Sequence, residues 1–245
     1  MIQNIKKLTL SGLLVLMLGM YQCALANFVM SIPEIQLQIV VEKGDITKSN
    51  VDIIVNAANQ ELEGGGGVCG AIFTAAGWDK LQQACNAYLA QKAVRCPTGQ
   101  ARITDSFDLK KQGIKHIIHA VGPDCRIIKN HGLQDTLLNN SYQNSLKLAE
   151  TVSATSIAFP FISSAIYAFP KDRAAYIAVQ SVYQYLKEHK QSHLKSVHFV
   201  LFSQDDFDLF CKTITHVAQG KNNSYNQNSF WFTRCLQFLK SLVRR

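Results

Sequence analysis

The chain has 245 residues and a formal net charge of +8 at pH 7, with 47% hydrophobic and 17% charged residues. This apolar content excludes an intrinsically disordered protein, and the length suits one well-filled domain plus additional segments, since domains usually span about 100–200 residues. The positive charge favours an anionic ligand but does not by itself indicate nucleic acid, because net charge mainly governs solubility and nonspecific attraction. We expect a monomer with no cofactor and no specific nucleic-acid partner.

Residues 1–26 have the pattern of a secretory signal peptide. Lys6 and Lys7 precede an apolar run from Leu8 to Tyr21, and Ala24-Leu25-Ala26 supplies a cleavage motif of small residues. The run is shorter than the roughly 20 residues that a membrane-spanning helix needs. We therefore expect export to the periplasm or secretion, and an uncleaved N-terminal membrane anchor is the alternative.

The rest of the chain alternates short apolar strands with helical patterns. The predicted strands cover residues 35–41, 52–55, 101–104, 115–121, 156–161 and 197–202. The predicted helices cover residues 67–76, 78–92, 133–151, 172–189 and 205–218, with Asp205 as the cap of the last. This alternation predicts a three-layer α/β/α domain over residues 33–219, with a central mixed, mostly parallel sheet.

Several strands deliver polar or small residues to one edge of the predicted sheet. The strand ends place Asn56, Gly122 and Ser163 at that edge, where ligands collect in sheets of this kind. Four glycines, Gly64–Gly67, stand between a strand and a helix of small residues. Glycines allow φ > 0 and a close backbone approach, while free N–H groups and the positive helix end attract anions. The arrangement is suited to holding phosphate.

Other chemistries fail on spacing. Gly65, Gly67 and Gly70 spell GxGxxG, but a dinucleotide site needs an acidic residue further on, and no Asp or Glu occurs between Lys80 and Thr104. No Lys-Ser/Thr pair follows the glycines, which excludes a P-loop, and no GxSxG motif supports a serine hydrolase. Two histidines four residues apart, at 189 and 193, have no third ligand nearby, so we expect no metal site.

Six motifs follow one another in a characteristic order. They are GDIT (44–47), VNAAN (55–59), GGGGVCGAIF (64–73), CPTGQARIT (96–104), IIHAVGP (117–123) and IAFPFISSAIYAFP (157–170). Together they resemble the macrodomain family, whose members are α/β/α modules that bind ADP-ribose and in many cases hydrolyse ADP-ribosyl or acetyl-ADP-ribose bonds. The resemblance implies ADP-ribose or an ADP-ribosylated protein as partner. It also implies an ADP-ribosyl hydrolase or O-acetyl-ADP-ribose deacetylase activity, with a non-catalytic reader module as the alternative.

The resemblance also implies roles for single residues. Asp45, next to Ile46, would accept a hydrogen bond from the adenine amino group, although an Asp after a strand is also common as a helix cap. Asn59 would reach the distal ribose and act directly in catalysis, since an amide both donates to and accepts from hydroxyls without adding charge. Asn56 is expected to line the site in a structural role.

Two loops would hold the diphosphate. The first contains Gly64, Gly65, Gly66 and Gly67, followed by Val68, and the second contains Ser163, Ser164, Ala165, Ile166, Tyr167 and Ala168. The family usually has glycines at the positions of Ala165 and Ala168, where a Cβ atom obstructs φ > 0 and crowds the phosphates. We therefore expect weakened affinity, with Tyr167 packed against the distal ribose.

Cys69 is the main departure from the family pattern. Many hydrolytic relatives have Asp at this position and His four residues later, where this chain has Phe73. The change removes a carboxylate that could orient water as a general base. A reactive thiol needs a lowered pKa and a neighbouring base, and the sequence shows no such base. We expect Cys69 to line the pocket, with catalysis resting on positioning and on the substrate's own phosphate.

The C-terminal segment differs from the domain. Residues 220–229 form a polar linker, and residues 230–245 have the pattern of a basic amphipathic helix. Its apolar residues fall on one face, namely Trp231, Phe232, Cys235, Leu236, Leu239, Leu242 and Val243. This face can lie on an anionic membrane surface or pack against the domain, and periodicity does not distinguish the two.

Overall fold

The computed structural model describes residues 27–32, 37–88 and 94–218. The predicted signal peptide, the linker at 220–229 and the helix at 230–245 lie outside these ranges. Within them, no helix combines the length and apolar character needed to cross a membrane.

In the described part of the chain, seven strands form one sheet in the order β1-β2-β7-β6-β3-β5-β4. The strands are β1 Asn27–Ile32, β2 Leu37–Lys43, β3 Ile53–Ala57, β4 Ala101–Asp105, β5 His116–Ala120, β6 Ser156–Phe159 and β7 Ser196–Leu201. The helices are α1 Gly67–Ala76, α2 Trp78–Asn86, α3 His131–Thr151, α4 Lys171–Glu188 and α5 Gln204–Ala218. The five central strands run parallel, and β1 and β4 are antiparallel edges. The predicted mixed, mostly parallel sheet is confirmed.

Two apolar cores lie on opposite faces of this sheet. Helices α3, α4 and α5 cover one face, and α1 and α2 pack on the other. In α3, Leu138, Tyr142 and Leu146 recur every four residues and are fully buried, as the helical pattern predicted. The Tyr142 ring packs against Phe159 of β6 with centroids 5.1 Å apart. Helical layers on both faces leave the strand ends as the accessible part of the sheet.

Three details differ from the sequence predictions. Strand β1 was not predicted, and its six pairs with β2 extend the sheet upstream of residue 33, where we placed the start of the domain. Helix α2 ends at Asn86, short of the predicted residue 92, and residues 89–93 lie outside the described ranges. Asp205 does not cap α5, because Ser203 takes that role. Ser203 Oγ accepts a hydrogen bond from the Asp206 N–H at 3.2 Å and donates one to the Asp206 carboxylate at 2.7 Å. This reciprocal pair satisfies the helix start.

Candidate functional site

The carboxyl ends of the central strands converge as predicted. Asn56 lies near the end of β3, Gly122 follows β5, and Ser163 follows β6. A Cβ atom at Gly122 would lie 2.1 Å from Ser163 Oγ, so the two segments are in contact. Since Ser163 is itself buried, the second loop is seated directly on the segment that follows β5.

The start of the glycine loop is held by contacts with side chains of α1 and α2. The Gly64 N–H donates to Gln82 Oε1 of α2 at 2.9 Å. A Cβ at Gly64 would lie 2.4 Å from the Trp78 ring and 2.9 Å from the Phe73 ring, so only glycine fits. These rings pack on each other with centroids 5.2 Å apart, and Phe73 is fully buried. Phe73 therefore fills the space beneath the loop and offers no acid–base group.

The following glycines form an exposed turn into α1. Gly65, Gly66 and Gly67 are all exposed, and Gly67 has a φ of +62°. A Cβ at Gly70 would lie 2.5 Å from the Gly65 carbonyl oxygen, so the loop folds closely over the first turn of the helix. The first N–H groups of a helix have no intrahelical partner, and here they lie beneath glycines that add no side chains. The turn is suited to binding an anion.

Asn59 closes the turn that leads into this loop. Its Oδ1 accepts the Glu63 N–H at 2.9 Å, and its Nδ2 donates to the Glu63 carbonyl at 3.2 Å. Within this turn, Leu62 has a φ of +56°. The amide keeps one N–H and one lone pair for a hydroxyl group, since each of its atoms can make a second hydrogen bond. Asn59 therefore both shapes the loop and can reach a ligand beside it.

A chain of hydrogen bonds runs from Cys69 into the core. Asn56 Nδ2 donates to Cys69 Sγ at 3.5 Å and lies 3.1 Å from His119 Nδ1. On the other side of the ring, His119 Nε2 lies 3.0 Å from Thr104 Oγ1. Asn56 and His119 are 1% and 0% exposed. Asn56 is thus held inside this buried chain of hydrogen bonds, and His119, within the IIHAVGP motif, was not singled out from the sequence.

The environment keeps both the thiol and the imidazole uncharged. Burial raises the pKa of the Cys69 thiol, against the opposing hydrogen bonds from Asn56 and Gly65. Burial also lowers the pKa of His119 to about 4. The sequence showed no base near Cys69, and the structure places the imidazole of His119 behind Asn56, one side chain away from the thiol. A protonated thiol and a neutral imidazole nevertheless make no thiolate at neutral pH, which agrees with Cys69 as a lining residue.

The second loop turns through left-handed backbone at two residues. Ser163 has a φ of +64° and Ala168 a φ of +52°, whereas Ala165 has no positive φ. The loop closes through hydrogen bonds from the Phe169 N–H to Ser163 O and from the Ala168 N–H to Ala165 O, each 3.0 Å long. A non-glycine residue in this conformation costs roughly 1–2 kcal/mol. The predicted strain therefore applies to Ala168 and not to Ala165.

Tyr167 is held by the segment after β5. Its carbonyl accepts the Cys125 N–H at 2.9 Å, and the Arg126 guanidinium lies 5.8 Å from the centroid of its ring. Asp124 binds that guanidinium through both oxygens, with Nε–Oδ1 at 2.9 Å and Nη2–Oδ2 at 2.7 Å. No motif in the sequence pointed to Arg126. The cation fixes the half-buried ring at the side of the loop.

Asp45 and an aromatic ring mark the other end of the edge. Asp45 Oδ1 accepts the N–H and the hydroxyl of Thr47 at 2.9 and 2.8 Å, so it does cap the short 3-10 helix Ile46–Lys48. Within the described residues, its Oδ2 accepts no hydrogen bond. The Gly44 N–H donates to the carbonyl of the last β7 residue at 2.9 Å, which places Phe202 beside this turn with 88% of its surface exposed. Phe202, like His119 and Arg126, was not singled out from the sequence.

Of the remaining predicted residues, some support the site from within the domain and others lie on its exposed surface. Ile46 is buried in the core beneath the site, and Val68 is half-buried in the first turn of α1. Ser164 Oγ donates to the Phe161 carbonyl at 2.9 Å and so stabilises the second loop, whereas Ile166 is 63% exposed on it. Across the described ranges, no cluster of three or more His, Cys, Asp or Glu side chains could hold a metal ion.

Comparison with known proteins agrees with this arrangement. The sequence profile of the Macro domain family matches residues 55–178. A macro domain-containing protein of Xanthomonas campestris is 50% identical over 155 residues, which are 63% of this chain and 83% of that protein. The O-acetyl-ADP-ribose deacetylase of Escherichia coli is 43% identical over 175 residues, covering 71% and 94% of the two chains.

Solved structures with bound nucleotides share the fold. The Oceanobacillus iheyensis macrodomain with ADP has a TM-score of 0.71 at 36% identity, over 80% of this chain and 98% of that one. The Trypanosoma brucei macrodomain in complex with ADP-ribose has a TM-score of 0.62 at 31% identity, over 72% and 68% of the two chains.

Proposed function

This chain belongs to the macro domain family, and on that premise we propose that it binds ADP-ribose and hydrolyses the bond joining ADP-ribose to an acceptor. The acceptor is a protein side chain or the acetyl group of O-acetyl-ADP-ribose. The observation that carries the proposal is the exposed glycine turn before α1, which lies beside the Asn59 amide. Relatives named O-acetyl-ADP-ribose deacetylase, at 42–43% identity, support the hydrolase class.

The two ends of the site suit the two ends of the ligand. Asp45 Oδ2 can accept from an adenine amino group while Phe202 offers a ring face for stacking. The N–H groups of Gly65–Gly67 suit the diphosphate, which the second loop covers from the other side. Asn59 and Tyr167 then lie at the distal ribose. In this arrangement adenine gives specificity, and the diphosphate fixes the position of the bond to be broken.

Hydrolysis at this site relies on groups other than a carboxylate. Cys69 carries no charge at neutral pH, because burial raises the pKa of its thiol, and Phe73 lies under the loop. We propose that Asn59 orients the distal ribose and that a diphosphate oxygen of the substrate accepts the proton of the attacking water. Catalysis by positioning of this kind is sensitive to displacements of about 1 Å, which can cost on the order of 100-fold in rate.

The alternative is a module that binds ADP-ribose without turnover. The specific observation that favours it is the same replacement of acid–base groups by Cys69 and Phe73. Calorimetric titration with ADP-ribose, followed by assays for its release from a mono-ADP-ribosylated acidic side chain and for deacetylation of O-acetyl-ADP-ribose, separates the two. Binding without release supports the reader, and absence of binding refutes both functions.

The role of Asn59 is tested by a matched pair of variants. Asn59→Asp keeps the acceptor for the Glu63 N–H but loses the donor, whereas Asn59→Ala loses both. We expect both variants to lose turnover by about 10–100-fold, with Asn59→Asp closer to the wild type in melting temperature. Unchanged turnover in Asn59→Ala would remove this residue from the mechanism.

A further inference from the structure

The hydrogen-bond chain behind Cys69 determines where the proton of the buried imidazole resides. Asn56 Nδ2 can only donate and lies 3.1 Å from His119 Nδ1, so in this orientation of the amide that nitrogen is the acceptor. The ring proton is therefore on Nε2, which faces Thr104 Oγ1 at 3.0 Å and Cys85 Sγ at 3.7 Å. His119 is consequently a neutral ring with a single defined tautomer.

The amide of Asn56 depends on this acceptor for its orientation. Its two N–H groups are directed at His119 Nδ1 and Cys69 Sγ. Its Oδ1 is buried and has no hydrogen-bond partner in the described parts of the chain. Since the oxygen has no partner, only the two hydrogen bonds of Nδ2 fix the orientation of the Asn56 amide. Loss of the Nδ1 acceptor would leave only a long contact to sulfur.

The chain continues from Asn56 to the turn that carries the predicted catalytic amide. Cys69 Sγ donates to the Glu63 carbonyl at 3.9 Å. The same carbonyl accepts from Asn59 Nδ2 at 3.2 Å, and the Glu63 N–H donates to Asn59 Oδ1. Glu63 is thus the junction at which the buried chain and Asn59 meet. A displacement of Asn56 is passed to this junction through Cys69.

We infer that His119 is a positioning residue of the proposed hydrolysis: its unprotonated Nδ1 holds the Asn56 amide, and through Cys69 and Glu63 it keeps Asn59 in place. The inference rests on the proposed function. His119 is fully buried and lies behind Asn56, so it acts through these residues and does not touch the substrate.

Two amide substitutions separate the acceptor from the rest of the ring. His119→Asn places an amide oxygen near the position of Nδ1, where it can accept from Asn56. His119→Gln extends to the position of Nε2, where it keeps a contact with Thr104 but lacks the acceptor for Asn56. Both introduce a neutral amide into the same buried site. Any general loss of packing should therefore be similar in the two variants, so a difference in kcat between them reports on the acceptor at Nδ1.

We expect kcat for release of ADP-ribose to fall by about 10–100-fold in His119→Gln and by no more than about threefold in His119→Asn. We expect KM and the affinity for ADP-ribose to stay within about threefold of the wild type in both, because the adenine end and the glycine turn make the main binding contacts. Equal losses of kcat in the two variants, in proportion to equal losses of melting temperature, would overturn the inference and leave His119 with a packing role.

Nitrogen NMR of the full chain tests the hydrogen-bond chain without any turnover. At neutral pH we expect an unprotonated Nδ1 and a protonated Nε2 for His119. A protonated Nδ1 would refute the inference even if the enzyme were active. Absence of both ADP-ribose binding and turnover in the wild type, with the expected tautomer present, would instead show that the proposed function had failed, and the positioning role with it.

Discussion

We expect acid to weaken the fold through the imidazole of His119. The folded-state pKa of about 4 lies below the usual value of 6.5, so the unfolded chain takes up the proton first as the pH falls. The free energy of unfolding therefore decreases from about pH 6.5 down to about pH 4 and depends little on this group outside that window. Between pH 7.5 and 4.5 these values give a loss on the order of 2–3 kcal/mol from His119 alone.

The groups around the ring do not titrate in this window. Asn56 and Thr104 are uncharged, and burial raises the pKa of Cys85 to about 12. Burial opposes ionisation of Asp52, but hydrogen bonds from Lys115 and Thr155 hold the pKa of that carboxylate at about 2. Protonation of Asp52 therefore lowers the free energy of unfolding mainly below the pH range used here.

Urea unfolding of the wild type and of His119→Asn between pH 7.5 and 4.5 measures the effect. All other titrating groups are common to the two proteins, so the difference between their free energies of unfolding isolates His119. We expect the wild type to lose on the order of 2–3 kcal/mol more than the variant across this range. A difference that stays constant with pH would mean that the folded ring takes up a proton as readily as the unfolded one, which would refute a buried neutral imidazole.

Three further predictions concern the loops and the tail. Gly64→Ala should lower the free energy of unfolding by about 1–3 kcal/mol in a thermal melt through its clash with the neighbouring indole, whereas Gly65→Ala, with open space around its Cβ, should change it by less than about 1 kcal/mol. Ala168→Gly should tighten ADP-ribose binding by about 1 kcal/mol in calorimetry, and Ala165→Gly should not; equal effects would contradict the assigned backbone strain. Deletion of residues 221–245 should abolish association with anionic liposomes while ADP-ribose binding persists, and a fall in melting temperature would show instead that the tail packs on the domain.

The sequence was sufficient for the architecture because the relevant signals are periodic. Alternating strand and helix patterns predicted the layers, and motifs at strand ends predicted that Asn56, Gly122 and Ser163 would share one edge. Strand β1 escaped prediction although Phe28 and Met30 alternate toward the core, because it directly follows the signal-like segment. The cap of α5 was misplaced by two residues, since Asp and Ser are both good caps and only the fold decides between them.

The details of the site were not predictable in the same way. His119 looks like an ordinary strand residue until β4 brings Thr104 to one side of its ring and β3 brings Asn56 to the other. The strain at Ala168, and its absence at Ala165, depends on backbone angles that composition does not encode. Phe202 follows a strand as many aromatic residues do, and only the pairing of β2 with β7 brings it beside the turn at Gly44. Each of these features arises from contacts between distant segments.

The position of β7 in the sheet has a consequence for how the protein folds. Strand β2 has β1 on one side and β7 on the other, with Gln38 opposite Ser196, so the second strand of the described sheet pairs directly with the last one. A two-stranded β1–β2 hairpin is marginally stable by itself, and pairing between such distant residues is slow. Until β7 enters between β2 and β6, the hairpin has no bond to the rest of the sheet. We therefore expect the turn at Gly44 and the ring of Phe202 to come together late in folding, so that a chain interrupted before residue 196 would lack the proposed adenine end of the site.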